Sequence, residues 1–158
     1  MSKNKEVKDK IMFDNVFEII VIDKNTGKVK QHVKVKNATL QGLAGNIADA
    51  LFRDEGSYTY SGFVTLNIFT SAKSYIKSMV GTWGTTIDTG SDKRNSITWT
   101  DNSSDTYTVA YVTASRGPNN AYGASAFFAS ALPSPLTKGS TDIITYRWTI
   151  TIPYQAPP

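Results

Sequence analysis

The sequence predicts a mainly β fold, an antiparallel β-sandwich or jelly-roll-like domain with one short amphipathic helix near residues 38–53. Three observations carry that expectation. The stretch 141–153 places Ile144, Tyr146, Trp148, Ile150 and Ile152 on one side of a strand. Ile143, Thr145, Arg147, Thr149 and Thr151 fall on the other, the alternation of a half-buried antiparallel strand. Turn chemistry such as Asp23-Lys24-Asn25-Thr26-Gly27, Asp101-Asn102-Ser103-Ser104-Asp105 and Gly117-Pro118-Asn119-Asn120 punctuates short apolar stretches, as in sandwiches and barrels. Only one segment carries a convincing helical period.

Taken in order, residues 1–10 hold a single apolar residue, Val7, and are expected to form a basic tail, flexible or ordered by a partner. Residues 11–158 are expected to form one sandwich-like domain. Ile11 to Val35 has the pattern of a hairpin. Phe13, Phe17, Ile19 and Val21 share one face of its first arm, with Asp14, Val16, Glu18, Ile20 and Ile22 on the other. In the return arm Val29, Val33 and Val35 face inward, while Lys28, Lys30, His32, Lys34 and Lys36 face outward. Glu18 and Asp14 are then positioned to meet the lysine row across the strands.

The helix is expected from Leu40, Leu43, Ala44, Ile47, Ala48 and Leu51, which recur at helical spacing. Strands are expected at Gly62 to Thr70, Tyr75 to Val80, Asn95 to Thr100, Thr106 to Ser115 and Tyr122 to Ala131. Loops are expected at Thr82 to Arg94 and Leu132 to Ser140. Pro153 should end the last strand, because proline has no N–H to donate.

Composition excludes several classes. At 40% hydrophobic and 19% charged the chain is neither disordered nor rich enough in apolar runs for a membrane helix. No signal peptide is expected, since the charged first ten residues lead into no apolar run. The absence of cysteine removes thiolate chemistry and cysteine-bound metals. The net charge of +4 is concentrated at the front: residues 1–36 carry nine lysines against five acids, and the rest of the chain balances. A basic end favours an acidic partner.

Catalytic leads are thin. Asp88-Thr89-Gly90-Ser91 looks like an aspartic-protease motif, which needs two such aspartates sharing a proton. A plain turn accounts for it more simply. His32 is the only histidine and no nucleophile elbow accompanies it. The pairs Asp101 and Asp105, or Asp88 and Asp92, match no calcium-loop spacing, and Asx turns explain them. No cofactor or metal is expected.

The row Lys28, Lys30, Lys34 and Lys36, mixed with Ile20 and Ile22, fits a solvated edge strand or contact with an acidic protein neighbour. Nucleic acid comes third, since no stacking aromatics interleave with the lysines. Trp99 and Trp148 belong in strands and should fill the core. Trp83, in a Gly/Thr-rich stretch, is the better exposed contact residue.

The segment Lys36-Asn37-Ala38-Thr39-Leu40-Gln41-Gly42-Leu43-Ala44-Gly45-Asn46-Ile47-Ala48-Asp49-Ala50-Leu51 resembles one found in small structural proteins of tailed bacteriophages. These carry a Lys-Asn segment and a short helix early in the chain. They close, as Ser140 to Ile152 does, with a Ser/Thr-rich loop and a Tyr/Trp-x-Ile-x-Ile strand. The chain departs from them around Thr65 to Ser78, where they often have a Gly-rich segment.

The resemblance implies a non-enzymatic virion component: a capsid decoration protein, a head fibre or a tail part. Its partners would be other virion proteins such as capsid or tail subunits, in a homo-oligomer or symmetric array. Residues 1–36 would anchor it and the loops after Ser57 would face outward. The competing expectation is a carbohydrate- or receptor-binding module at a tail tip, contacting host glycan through Trp83. An aspartic-protease-like enzyme is third.

Overall fold

The computed structural model describes residues 14–36, 65–115, 117–118, 120–122 and 126–155. They form ten strands: β1 (Asp14–Asp23), β2 (Val29–Lys36), β3 (Thr65–Phe69), β4 (Tyr75–Val80), β5 (Thr82–Trp83), β6 (Ile87–Asp88), β7 (Asp92–Asp101), β8 (Tyr107–Ser115), β9 (Ala126–Lys138) and β10 (Asp142–Pro153). Two antiparallel sheets result, in a sandwich-like arrangement. The larger has the order β2-β1-β10-β7-β5, with β6 also on β7; the smaller has the order β4-β3-β8-β9. The described residues contain no helix, and the helix expected at 38–53 lies outside them, as does the tail at 1–10.

The interior is where alternation places it. Phe17, Ile19 and Val21 of β1, Ile97 and Trp99 of β7, and Ile144, Tyr146 and Trp148 of β10 meet Leu66 and Ile68 of β3 and Val109, Val112 and Ala114 of β8. Trp99 and Trp148 are 1% exposed. Asn15 accepts the Trp148 indole N–H at 3.3 Å, so the ring is buried with its polar atom satisfied. β10 ends at Pro153, but its last apolar residue, Ile152, is 42% exposed. The strand outruns the core.

Three expectations need correction: the sides taken by Val29 and Lys30, the loop after Leu132 and the loop at Thr82 to Arg94. Between Val21 and Ile22 the β1–β2 register slips, so Ile22 pairs with Val29 while Val21 pairs with Gln31. Val29 therefore turns to the outer face, and Lys30 is left in the irregularity. In β8 the register against β9 jumps between Val109 and Tyr111. Val109, Val112 and Ala114 then share the core, although strict alternation sets Val109 opposite the other two.

The supposed loop after Leu132 is part of one long strand. Val109 pairs with Leu136 and Tyr111 with Ala131, so Pro133 and Pro135 sit in the offset stretch of an edge strand, where a missing N–H is tolerated. The third correction concerns Thr82 to Arg94, expected as a loop. It contains β5, β6 and the start of β7. Gly81 makes this crossing from one sheet to the other possible: a Cβ there would lie 2.5 Å from the Trp99 Nε1 and 2.6 Å from the Ile97 Cγ1.

Candidate docking surface

Because paired residues in antiparallel strands share a face, the registers spell out the outer face of the larger sheet row by row. Val29, Ile22 and Ile143 form an apolar row. Next come His32, Ile20, Thr145 and Thr100, then Lys34, Glu18, Arg147 and Thr98, then Lys36, Val16, Thr149 and Ser96. The last row holds Asp14, Thr151 and Arg94. Lys34, Lys36, Arg94 and Arg147 are exposed and Ile20 and Ile22 are half-buried. The face is broad and basic, with apolar ground between the charges.

Glu18 is the acid set within it. Its carboxylate contacts the His32 Nε2 and lies 3.7 Å from the Lys34 Nζ, while Arg147 is its partner on β10. His32 is thus a surface strand residue beside a carboxylate. At one corner a shallow groove of about 340 Å³ lies between Lys36 and Arg94, with Asp14, Asp92 and Thr151 on its walls. Arg94 donates through Nε and Nη2 to the two Asp92 oxygens, at 2.9 and 3.0 Å. That bidentate pair holds the Asp92 carboxyl below its ordinary range.

The residues singled out from sequence do not all converge. Lys34, Lys36, Ile20 and Ile22 share this face. Lys28 lies in the β1–β2 turn, where its carbonyl accepts from Asp23. Lys30 leaves the row: from the bulge its ammonium reaches the Asp142 carboxylate at 2.9 and 3.1 Å. Trp83 is 38% exposed, as expected of a contact residue. However, it pairs with the buried Ile97, on the inner face of the opposite edge from β2. It belongs to no common site with the lysines.

Asp88-Thr89-Gly90-Ser91 is the β6–β7 hairpin turn. Gly90 has φ +88°, a conformation glycine adopts without strain. Asp88 accepts from the Gly90 N–H at 2.9 Å and from the Tyr154 hydroxyl at 2.6 Å. The Tyr154 bond foremost, with the Gly90 amide, lowers the Asp88 pKa.

A polar knot that the sequence did not announce lies at the end where the β1–β2, β3–β4, β7–β8 and β9–β10 turns gather. The Lys77 ammonium of β4 bonds both Asp101, at 2.9 Å, and Asp105, at 2.8 Å. Asp101 also accepts from the Ser103 amide and hydroxyl and from the Tyr107 hydroxyl. Its burial opposes ionisation, but these donors and Lys77 outweigh it and hold the carboxyl well below its ordinary range. Burial pushes the Tyr107 and Tyr146 hydroxyls far up.

Lys138 is fully buried, its ammonium donating to the carbonyls of Ser103, Asp105 and Gly139. The β1–β2 turn joins through Lys24, whose ammonium meets the Asn102 carbonyl and whose amide donates to Thr141. Asp101 caps the turn through the Ser103 amide, as the Asx-turn reading has it, and Asp101 and Asp105 together hold the Lys77 ammonium. Among the described residues no group of three or more His, Cys, Asp or Glu side chains is arranged to hold a metal. Compared with known proteins, the chain matches no protein family, no curated sequence and no solved structure.

Proposed function

We propose that this protein is a non-enzymatic structural component of a virion, a sandwich or jelly-roll-like block that docks on neighbouring capsid or tail subunits through the outer face of its larger sheet. The observation that carries the reading is the contrast between that basic face, open with half-buried isoleucines, and a closed hairpin end held by the part-buried Lys77–Asp101 ion pair and the buried Lys138. A rigid frame with one broad mixed surface suits docking by complementarity. The resemblance to tailed-phage structural proteins at Ser140 to Ile152, which is the central strand β10 and its lead-in, supports the particle. A homo-oligomer or symmetric array follows from that setting.

Particles purified on density gradients from cells that make the protein should contain it. The variant Lys34→Glu/Lys36→Glu should be depleted from them while still folding, with only the modest loss expected from a carboxylate at 34 opposite Glu18. A protein absent from particles overturns the proposal. The exposed Trp83 keeps one second reading in play, a glycan-binding module of a tail tip. Glycan-array binding that Trp83→Ala abolishes would favour it over docking.

A further inference from the structure

We propose that β2 is an acceptor edge, to which an acidic, extended segment of a partner protein adds as a further strand of the larger sheet. The inference rests on the docking reading above and narrows it to one edge and one partner chemistry.

Among the described residues β2 closes one side of the sheet and pairs only with β1. All eight of its residues are exposed or half-buried. An edge strand presents a row of main-chain donors and acceptors to whatever arrives. Strand addition uses those groups for affinity and the alternate side chains for specificity.

The alternation of β2 specifies the arriving chain. On the outer face His32, Lys34 and Lys36 follow one another at every second position, and Glu18 is already shared by His32 and Lys34. The cross-strand neighbour of Lys36 is Val16. Positive charge is left over on this side. On the inner face Val33 and Val35 pack against the core but stay half-buried. A strand with acids at alternate positions and apolar residues between them would neutralise the first set and cover the second.

A second copy of the chain is the poorer occupant. Three antiparallel registers of β2 on another β2 set Val33 or Val35 beside one of those valines; two of them set Lys34 opposite Lys34 or Lys36, and the third sets it opposite His32. Like charges directly opposite are destabilising. The lysines that keep copies apart are thus the groups that would admit an acid.

The test uses the full chain and a synthetic peptide of alternating Glu and Val matched in length to β2. Three companions go with it: the peptide with Lys for Glu, the acidic peptide N-methylated on its pairing amides, and the variant Lys34→Glu/Lys36→Glu. The acidic peptide should bind and slow amide exchange in Val29–Lys36. The charge reversal should weaken it about tenfold or more, and N-methylation should abolish it. The double variant should instead take up the Lys peptide.

Equal binding of the N-methylated peptide, or protection appearing elsewhere, overturns strand addition. So does the absence of acidic-peptide binding, or β2 protection that grows with protein concentration alone, the sign of a second copy. If the peptide fails while Lys34→Glu/Lys36→Glu is still depleted from particles, strand addition falls and the docking reading stands. If the peptide binds but particles lack the protein, the docking reading falls and the acceptor edge stands.

Discussion

The two sheets share one interior but treat their outer faces in opposite ways. On the larger sheet the outward residues of β1 and β10, such as Glu18, Ile20, Thr145 and Arg147, are half-buried or exposed. On the smaller sheet all five residues of β3 are buried, those facing the core and those facing away alike. Thr65, Asn67, Thr113 and Ser115 line that second covered surface at 3% exposure or less. Asn67 donates to the Ser115 hydroxyl at 2.7 Å and accepts from Ser78 at 2.7 Å. Farther along, Tyr122 stands edge-on to Phe69 and Tyr111, with the Lys73 ammonium over the Tyr111 and Tyr122 rings. Burial on both faces therefore selects hydrogen-bonded polar pairs and aromatic edges. Burial on one face leaves charge and alternation to do the selecting.

The largest effect should separate two neighbours on one strand. Trp148→Ala removes a buried indole and should cost ~3–5 kcal/mol in urea unfolding. Arg147→Ala, on the open face beside it, should stay within about 0.5 kcal/mol. A loss below ~1 kcal/mol for Trp148 would mean that the interior is not where this sheet is held.

The polar knot comes next, because Lys77 of the smaller sheet and Asp101 of the larger one tie the two together. Asp101→Asn should cost about 1.5–3 kcal/mol, the usual worth of hydrogen bonds to a charged group. The pH dependence has a definite sign. The folded Asp101 carboxyl titrates below its ordinary 3.8, so its contribution is present above about pH 4 and is lost as pH falls below that. Lys77 titrates above its ordinary 10.5, so its contribution is present below that pH and is lost on the far alkaline side. An acid limb equally steep in Asp101→Asn would assign the acid sensitivity elsewhere.

Asn67→Ala should cost ~1–3 kcal/mol by stranding the hydroxyls around it. Thr145→Ala on the open sheet should change stability by less than about 0.5 kcal/mol. Equal effects would erase the distinction between the covered and the open face.

The same distinction explains what was legible in the sequence. β1 and β10 each bury one face, so their alternation was visible and put Phe17, Ile19, Val21, Ile144, Tyr146 and Trp148 inside, as found. β3 was recognisable as a strand, but nothing in Thr65-Leu66-Asn67-Ile68-Phe69 announces that its polar residues are buried too. Bulges hide from alternation, which is why Val29 and Lys30 were placed on the wrong sides and β9 was cut at its prolines. The knot was invisible for another reason. Lys77, Asp101 and Lys138 come from three different strands, and only the gathering of turns at one end brings them together. Of the candidate surface, Lys34, Lys36, Ile20 and Ile22 followed from parity. Arg94 and Arg147 were missed, although their positions on β7 and β10 share that parity once the strand order is known.

The smallest expected change is the most informative about docking. Lys34 is 56% exposed and lies 3.7 Å from Glu18, and pairs of this kind contribute ~0–1 kcal/mol. Lys34→Ala should therefore leave the urea midpoint nearly unmoved, and moderate salt should shrink whatever remains. Alternating cations on an exposed edge strand also keep copies of the chain apart, so unfolding and incorporation have to be read side by side. If Lys34→Ala unfolds like the parent yet loses incorporation into particles, the charge serves a partner and not the sandwich. If it destabilises the protein by more than ~1 kcal/mol, the lysine row belongs to the frame, and the open face loses its claim to be kept for docking.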